Sequence, residues 1–230
     1  MTLIRPALTA LTLAMAPSLA LAHGDVAPQP VNTDVLPDVG EEWLTENPYR
    51  VEEVGEDVWS EAVKIGASGY NQNCARCHGL EVISGGLAPD LRFLEAEEYG
   101  DEWYVERFQF GYTQNGTTKM PAFGELLGQK AAWAIRTFIE TRPDDEAVAE
   151  RSDELKEIRD RLATAASGTA EVDPAATADR LMEIANEIET LSGAPVADSV
   201  ALRAALVLNL DGGNLDQAAE ILTVGLSAAH

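Results

Sequence analysis

The chain has 230 residues and a strongly acidic composition, with 39 Asp and Glu, 16 Lys and Arg, and a formal net charge of −23. Such a charge argues against nucleic acid and anionic membrane surfaces as partners, because both would repel it. It is equally compatible with a solvated acidic surface that has no particular partner. Hydrophobic residues make up 46% of the chain, which is enough to build a buried core.

The first 22 residues have the pattern of a secretory signal. Arg5 gives a positive start, residues 8–15 are apolar, and residues 20–22 form a small-residue cleavage site. Cleavage before His23 would leave the mature chain in the periplasm, an oxidising compartment. An uncleaved membrane anchor is the alternative, which the short apolar run and Pro17 disfavour. No later segment has the length of apolar sequence that spans a bilayer, so no membrane span is expected after cleavage.

Beyond the signal, apolar periodicity and proline positions predict helices separated by loops. Residues 23–57 carry four prolines and many acids, which predicts an extended arm lying on the following domain. Asp101 is expected to cap a helix, and Pro143 to end another. Helices are predicted over residues 58–72, 101–112 and 128–141, and loops over residues 79–95 and 115–123.

The composition changes after Pro143. Residues 144–230 contain no aromatic residue and are rich in Ala, Leu and Glu. We therefore predict an acidic helical extension, which either caps the preceding domain or serves as a module that docks a partner. Its helices are predicted over residues 146–167, 174–192, 196–209 and 214–228.

The sequence Cys74-Ala75-Arg76-Cys77-His78 is the signature of covalent haem attachment. Two thiols at this spacing can add to the two vinyl groups of a porphyrin, and the adjacent imidazole can bind the iron. A zinc half-site and a redox disulfide are the alternatives for a bare pair of cysteines. The usual zinc site needs a second pair, whereas the chain has two cysteines in all. The motif therefore predicts one covalently attached haem c.

Met120 is the candidate for the second axial ligand of the iron. His and Met are the usual pair in electron-carrying cytochromes, and Met120 lies in a predicted loop that can cross the haem face. His23 and His230 stand at the ends of the mature chain, where mobility is usual. Met182 lies on an apolar helical stripe and is interpreted as a core residue.

Pro89 is the candidate partner of the haem-binding histidine. A ligating His normally donates its other ring N–H to a carbonyl, which orients the ring. The Pro89 carbonyl, in a stiff loop soon after His78, could accept that hydrogen bond. The alternative is an ordinary loop proline.

Gly66 lies four residues before Tyr70, and Tyr70 lies four residues before Cys74 of the haem motif. This spacing resembles the first helix of the class I cytochrome c family. This resemblance implies an all-α protein with the class I cytochrome c fold over residues 58–143, followed by the helical extension. It also implies that the first and last helices of that fold cross closely, here with Trp133 and Phe138 as partners.

A closer resemblance covers residues 23–50, 70–92 and 100–127. These stretches look like the c-type cytochromes that serve pyrroloquinoline quinone (PQQ)-dependent alcohol dehydrogenases. The resemblance implies an electron-transfer protein and not an enzyme: a one-electron carrier reduced by such a dehydrogenase and oxidised by a terminal oxidase or another cytochrome. The alternatives are a haem-based sensor or catalytic subunit with a displaceable sixth ligand, and a cytochrome docked through its tail.

Overall fold

The computed structural model describes residues 28–210 and 213–228, so the predicted signal over residues 1–22, His23 and His230 lie outside the described residues. In the described part, the α-helices are α1 Val51–Asn73, α2 Ala75–His78, α3 Glu98–Phe110, α4 Gly124–Glu140, α5 Asp145–Glu150, α6 Ser152–Ala166, α7 Pro174–Glu187, α8 Val200–Leu210 and α9 Leu215–Ala228. An antiparallel hairpin joins β1 Tyr112–Gln114 to β2 Thr117–Met120. The predicted all-α class is confirmed.

Helices α1 and α4 cross in contact, as the resemblance implies. Gly66 lies against the α4 backbone, and a methyl group there would overlap the Ala134 carbonyl oxygen. The Tyr70 and Phe138 rings pack beside this point, with centroids 5.4 Å apart. Phe138 is therefore a crossing partner as expected. Ala134 replaces Trp133 as the closest neighbour of the glycine, because Trp133 packs against an aromatic ring of α3.

Asp101 does not cap a helix, which corrects the prediction. Helix α3 begins at Glu98, and Asp101 lies one turn inside it, fully buried. Its carboxylate accepts hydrogen bonds from Nε of Arg136, at 2.8 Å, and from Nη2 of Arg50, at 2.9 Å. Glu140 completes this buried ion network, 3.0 Å from Arg50. Burial raises the pKa of Glu140 despite the two neighbouring arginines.

The residues before α1 lie on the α1–α4 pair. The Leu44 N–H donates to the side-chain oxygen of Gln129 at 2.6 Å, and Tyr49 is buried. Helix α1 begins at Val51, earlier than predicted, so the last residues of the expected arm are helical. Gly55, with a φ of 74°, interrupts the helical backbone near this start.

Buried side chains of α1, α3 and α4 form a first core. Helices α6 to α9 form a second core, in which α6 packs on α9, α7 on α8, and α8 on α9. Asp173 caps α7 by accepting from two backbone N–H groups, with Pro174 in the first turn. The helix predicted over 146–167 is divided at Arg151 into α5 and α6. Aliphatic side chains fill this core, among them Leu155, Ile158, Leu162, Leu181, Ile184 and Leu222. Of the helices described, none combines the length and apolarity that a membrane crossing requires.

Candidate haem site

The cysteine motif lies on a helical turn at the end of α1. The Cys74 N–H donates to the Tyr70 carbonyl at 2.8 Å, and the His78 N–H donates to the Cys74 carbonyl at 3.0 Å. The Tyr70 hydroxyl reaches the Gly79 carbonyl at 2.9 Å and closes the turn. Cys74 is half-buried, Cys77 is exposed, and neither forms a disulfide. Burial raises the pKa of the Cys74 thiol to about 12, because it disfavours the charged thiolate. A thioether does not ionise, so burial would not have this effect on it.

The His78 ring is held by the carbonyl of Pro89. The distance from Nδ1 of His78 to the Pro89 oxygen is 2.9 Å. A carbonyl oxygen can only accept, so Nδ1 carries a proton, and in the neutral ring the lone pair is then on Nε2. This is the tautomer in which an imidazole binds a metal through Nε2.

The segment that carries this carbonyl, residues 79–93, is called the haem-motif loop below. It turns sharply at Gly79, where φ is 85° and a methyl group would overlap the Ile83 carbonyl oxygen. The carboxylate of Asp90, next to Pro89, accepts hydrogen bonds from Nε of Arg92 at 3.0 Å and from Nη2 of Arg92 at 2.8 Å. Burial disfavours the Asp90 carboxylate, but these hydrogen bonds outweigh burial and lower its pKa.

Met120 stands at the end of β2 rather than in the predicted loop. It pairs with Tyr112 across the hairpin, whose turn consists of Asn115 and Gly116, both with positive φ. The Gly111 backbone approaches the Met120 carbonyl so closely that a side chain at Gly111 would overlap it. The Met120 side chain is half-buried and packs against the first core.

Several large apolar side chains of the haem-motif loop and the hairpin region are exposed. Leu87 and Phe110 are 77% and 73% exposed. Exposed apolar side chains mark a binding site where they form one contiguous patch. The set comprises Leu80, Ile83, Leu87, Phe93, Phe110 and Tyr112.

The residues present fit a haem c. Two unpaired thiols, an imidazole with a free Nε2 and a thioether are the donor types of a covalently attached haem with His and Met ligands. The exposed apolar side chains suit contact with a flat apolar ring.

Comparisons with known proteins agree with this chemistry. Residues 61–139 match the family described as cytochrome c oxidase, cbb3-type, subunit III. The chain is 53% identical over 129 residues to cytochrome c550 of Pseudomonas aeruginosa, an alignment that covers 56% of this chain and 87% of that protein. The chain belongs to the class I c-type cytochromes. The cytochrome is an electron-transfer protein with one covalently bound haem c, and the predicted fold class and cofactor are confirmed.

Two enzymes of Pseudomonas putida are also similar to the cytochrome. Quinohemoprotein alcohol dehydrogenase ADH IIB is 32% identical over 106 residues, and quinohemoprotein alcohol dehydrogenase ADH-IIG is 29% identical over 84 residues. The alignments cover 44% and 36% of this chain but 14% and 11% of the enzymes. The cytochrome therefore resembles a small part of each. No solved structure matches it.

The sequence patterns did not single out the arginines that hold the haem-motif loop. Arg92 follows Asp90 by two residues, a spacing that could have suggested a local ion pair. Arg142 lies beside Pro143 and pairs with Glu81, 61 positions earlier in the chain. No periodicity reveals a contact over that separation.

Proposed function

We propose that this cytochrome carries single electrons in the periplasm, from a PQQ-dependent alcohol dehydrogenase to a terminal oxidase or another cytochrome. The proposal includes the site: haem bonded to Cys74 and Cys77, and iron between His78 and Met120. The observation that carries it is the hydrogen bond between the His78 ring and the Pro89 carbonyl, which leaves Nε2 free for iron.

The proposed residues have separate tasks. Bound haem supplies an iron that alternates between the ferrous and ferric states. Cys74 and Cys77 would bond to the porphyrin, while His78 and Met120 would bind the iron and so exclude exogenous ligands. A Met ligand raises the reduction potential relative to a second His. The carbonyl of Pro89 makes the imidazole a stronger donor.

The donor is inferred from the relatives. Both similar enzymes are named as quinohemoprotein alcohol dehydrogenases, which pair a quinone with a haem. Each enzyme is similar to this class I cytochrome over 106 or 84 residues. A separate cytochrome of the same kind is therefore a suitable acceptor for a quinone-containing alcohol dehydrogenase.

The axial ligand is tested by replacing Met120. We expect ferric Met120→Ala to lose the weak long-wavelength absorption of a thioether–iron bond and to bind cyanide rapidly. Met182→Leu is the matched control, because Met182 packs against the second core. Persistence of the absorption band in Met120→Ala would reject Met120 as ligand, and a wild-type protein that bound carbon monoxide readily would favour a sensor or catalyst.

The donor and the compartment need separate measurements. Stopped-flow mixing of the oxidised cytochrome with a reduced PQQ-dependent alcohol dehydrogenase should give fast reduction that depends on ionic strength, because the cytochrome is highly charged. Absence of reduction would exclude this donor. Mass spectrometry of protein from the periplasmic fraction should show a mature chain beginning at His23.

A further inference from the structure

Two buried arginines connect the haem-motif loop to the C-terminal extension, residues 144–230. Arg92 and Arg142 are each 5% exposed. Nη1 of Arg92 donates to Asp145 at 2.7 Å, and Nη1 of Arg142 donates to Asp198 at 3.4 Å. Each arginine therefore binds a carboxylate of the extension.

The same arginines bind carboxylates of the haem-motif loop. Arg92 holds both oxygens of Asp90, with Nε at 3.0 Å and Nη2 at 2.8 Å. Nη2 of Arg142 forms an ion pair with Glu81. Both guanidinium groups thus bridge the loop and the extension.

Backbone hydrogen bonds hold the extension in place independently of these charges. They run from the Ala96 N–H to the Ser192 carbonyl at 2.9 Å and from the Ala197 N–H to the Thr141 carbonyl at 3.3 Å. Loss of the two extension carboxylates should therefore leave the extension seated.

The two loop carboxylates that the arginines bind, Glu81 and Asp90, lie on either side of Pro89 in the sequence, and Pro89 is the partner of the haem-binding histidine. Glu81 follows His78 by three residues, and Asp90 directly follows Pro89, whose carbonyl lies 2.9 Å from Nδ1 of His78. A buried guanidinium cannot release its partners without a large free-energy cost. Because Arg92 donates to both oxygens of Asp90, it also fixes the orientation of that carboxylate.

We propose that the C-terminal extension positions the haem-binding histidine. Asp145 and Asp198 hold Arg92 and Arg142, and these arginines keep the haem-motif loop where the Pro89 carbonyl meets the His78 ring. The inference rests on the proposed role of His78 as an iron ligand.

The test is Asp145→Asn combined with Asp198→Asn in the full-length holoprotein. Both aspartates are about one-third exposed or more, so the variant should fold. We expect backbone amides of residues 79–93 to exchange with deuterium roughly tenfold faster, because a loop that loses contacts opens locally more often. We also expect the Nδ1 proton of His78, observed by NMR in the reduced protein, to exchange faster.

The matched control is Asp153→Asn combined with Asp216→Asn, which removes the same charge from α6 and α9. Its exchange rates should equal those of the wild type. Arg92→Lys is a second test at unchanged net charge, because lysine cannot grip both oxygens of Asp90. Unchanged loop exchange in both test variants would overturn the proposal, as would equal acceleration in the control.

Failure of this inference and of the ligand assignment can be distinguished. A faster loop with an unchanged His78 proton would show that the extension holds the loop without acting on the histidine, and would overturn the proposed positioning. A wild-type spectrum without the signals of His–Met ligation would reject the proposed iron ligands. Amide exchange of the haem-motif loop would still report on the arginine contacts, whether or not that ligand assignment holds.

Discussion

Gly66 is the residue on which the crossing of α1 and α4 depends. A methyl group there would overlap the Ala134 carbonyl oxygen and lie 2.9 Å from Cβ of Phe138. Two helix backbones would have to separate to admit it. We expect Gly66→Ala to lower the free energy of unfolding by about 1–3 kcal/mol, as overpacked cores do. Guanidinium unfolding of the holoprotein measures this loss.

Gly85→Ala is the control for that substitution. Gly85 has no atom within 4 Å of the added methyl group and no left-handed backbone conformation. Its replacement should leave the unfolding midpoint unchanged. Equal losses in the two variants would show that close packing at Gly66 is not the cause.

Asp90 makes stability depend on pH in the acid range. Its folded pKa lies below the ordinary value of 3.8, because hydrogen bonds from Arg92 outweigh burial. The ionised carboxylate therefore adds stability that is present above the ordinary pKa and is lost as pH falls through the folded pKa. Asp90→Asn should be less stable than the wild type at pH 6, and the two thermal midpoints should converge at the lowest pH.

Asp153→Asn is the comparison for this pH dependence, since Asp153 is exposed on α6. Its midpoints should follow those of the wild type at every pH. If the difference in thermal midpoint between Asp90→Asn and the wild type kept its full size below the folded pKa of Asp90, the stabilisation by Asp90 would not be electrostatic.

At the scale of elements, the buried ion network joins the arm to α3 and α4. Asp101 and Arg136 are fully buried, and Arg50 reaches them from the arm. Asp101→Asn would leave two arginines short of a charged partner. We expect a loss of about 3–5 kcal/mol in the free energy of unfolding, the range for breaking a buried pair. Chemical denaturation monitored by circular dichroism provides the value.

An exposed ion pair on the same helix serves as the reference. Glu106→Gln breaks the contact with Arg107, in which the Glu106 side chain is 62% exposed. Exposed pairs contribute about 0–1 kcal/mol. A cost for Asp101→Asn within that range would mean that the network relaxes or hydrates.

The helices that pack by local periodicity were predictable, and the elements fixed by distant contacts were not. The periodicity predicts α4 over residues 128–141, and the structure has it at Gly124–Glu140 with a break in the helical backbone at Gly128. The apolar run after Asp101 predicts a helix cap at that residue, whereas its partner Arg136 lies 35 residues later. The hairpin that ends at Met120 is not predicted from the sequence, although Asn115-Gly116 is a typical hairpin turn, because its strands are short and mostly polar.

Much of the candidate site was accessible from sequence because its chemistry is local. Cys74, Cys77 and His78 lie within one helical turn, and Pro89 follows in the next loop. The arginines that hold that loop could not be found in this way, since Arg142 and Asp198 are brought together by the packing of the extension. Spacing reveals ligands that share one segment, and tertiary structure brings in the groups that support them.

The charge of the whole molecule predicts how it exchanges electrons with small ions. With a net charge of −23, the cytochrome attracts cations and repels anions over roughly the ~10 Å Debye length at 0.1 M salt. Added salt should slow electron transfer with a cationic metal complex and accelerate it with an anionic one. Stopped-flow rates over a series of ionic strengths test both directions.

The two reagents control for each other, because an effect of salt on the protein itself would change both rates in the same direction. Salt dependences of equal sign would show that the net charge does not govern approach to the haem. If neither rate changed with ionic strength, electron transfer would take place at a surface that is locally neutral.

The aliphatic second core has a consequence for how unfolding can be observed. Because residues 144–230 contain no aromatic side chain, intrinsic fluorescence and near-ultraviolet dichroism originate entirely in the remainder of the cytochrome. Far-ultraviolet signals, by contrast, sum over every helix. A single sample followed by both methods would therefore reveal whether the two cores melt together or in sequence, without labels or truncation.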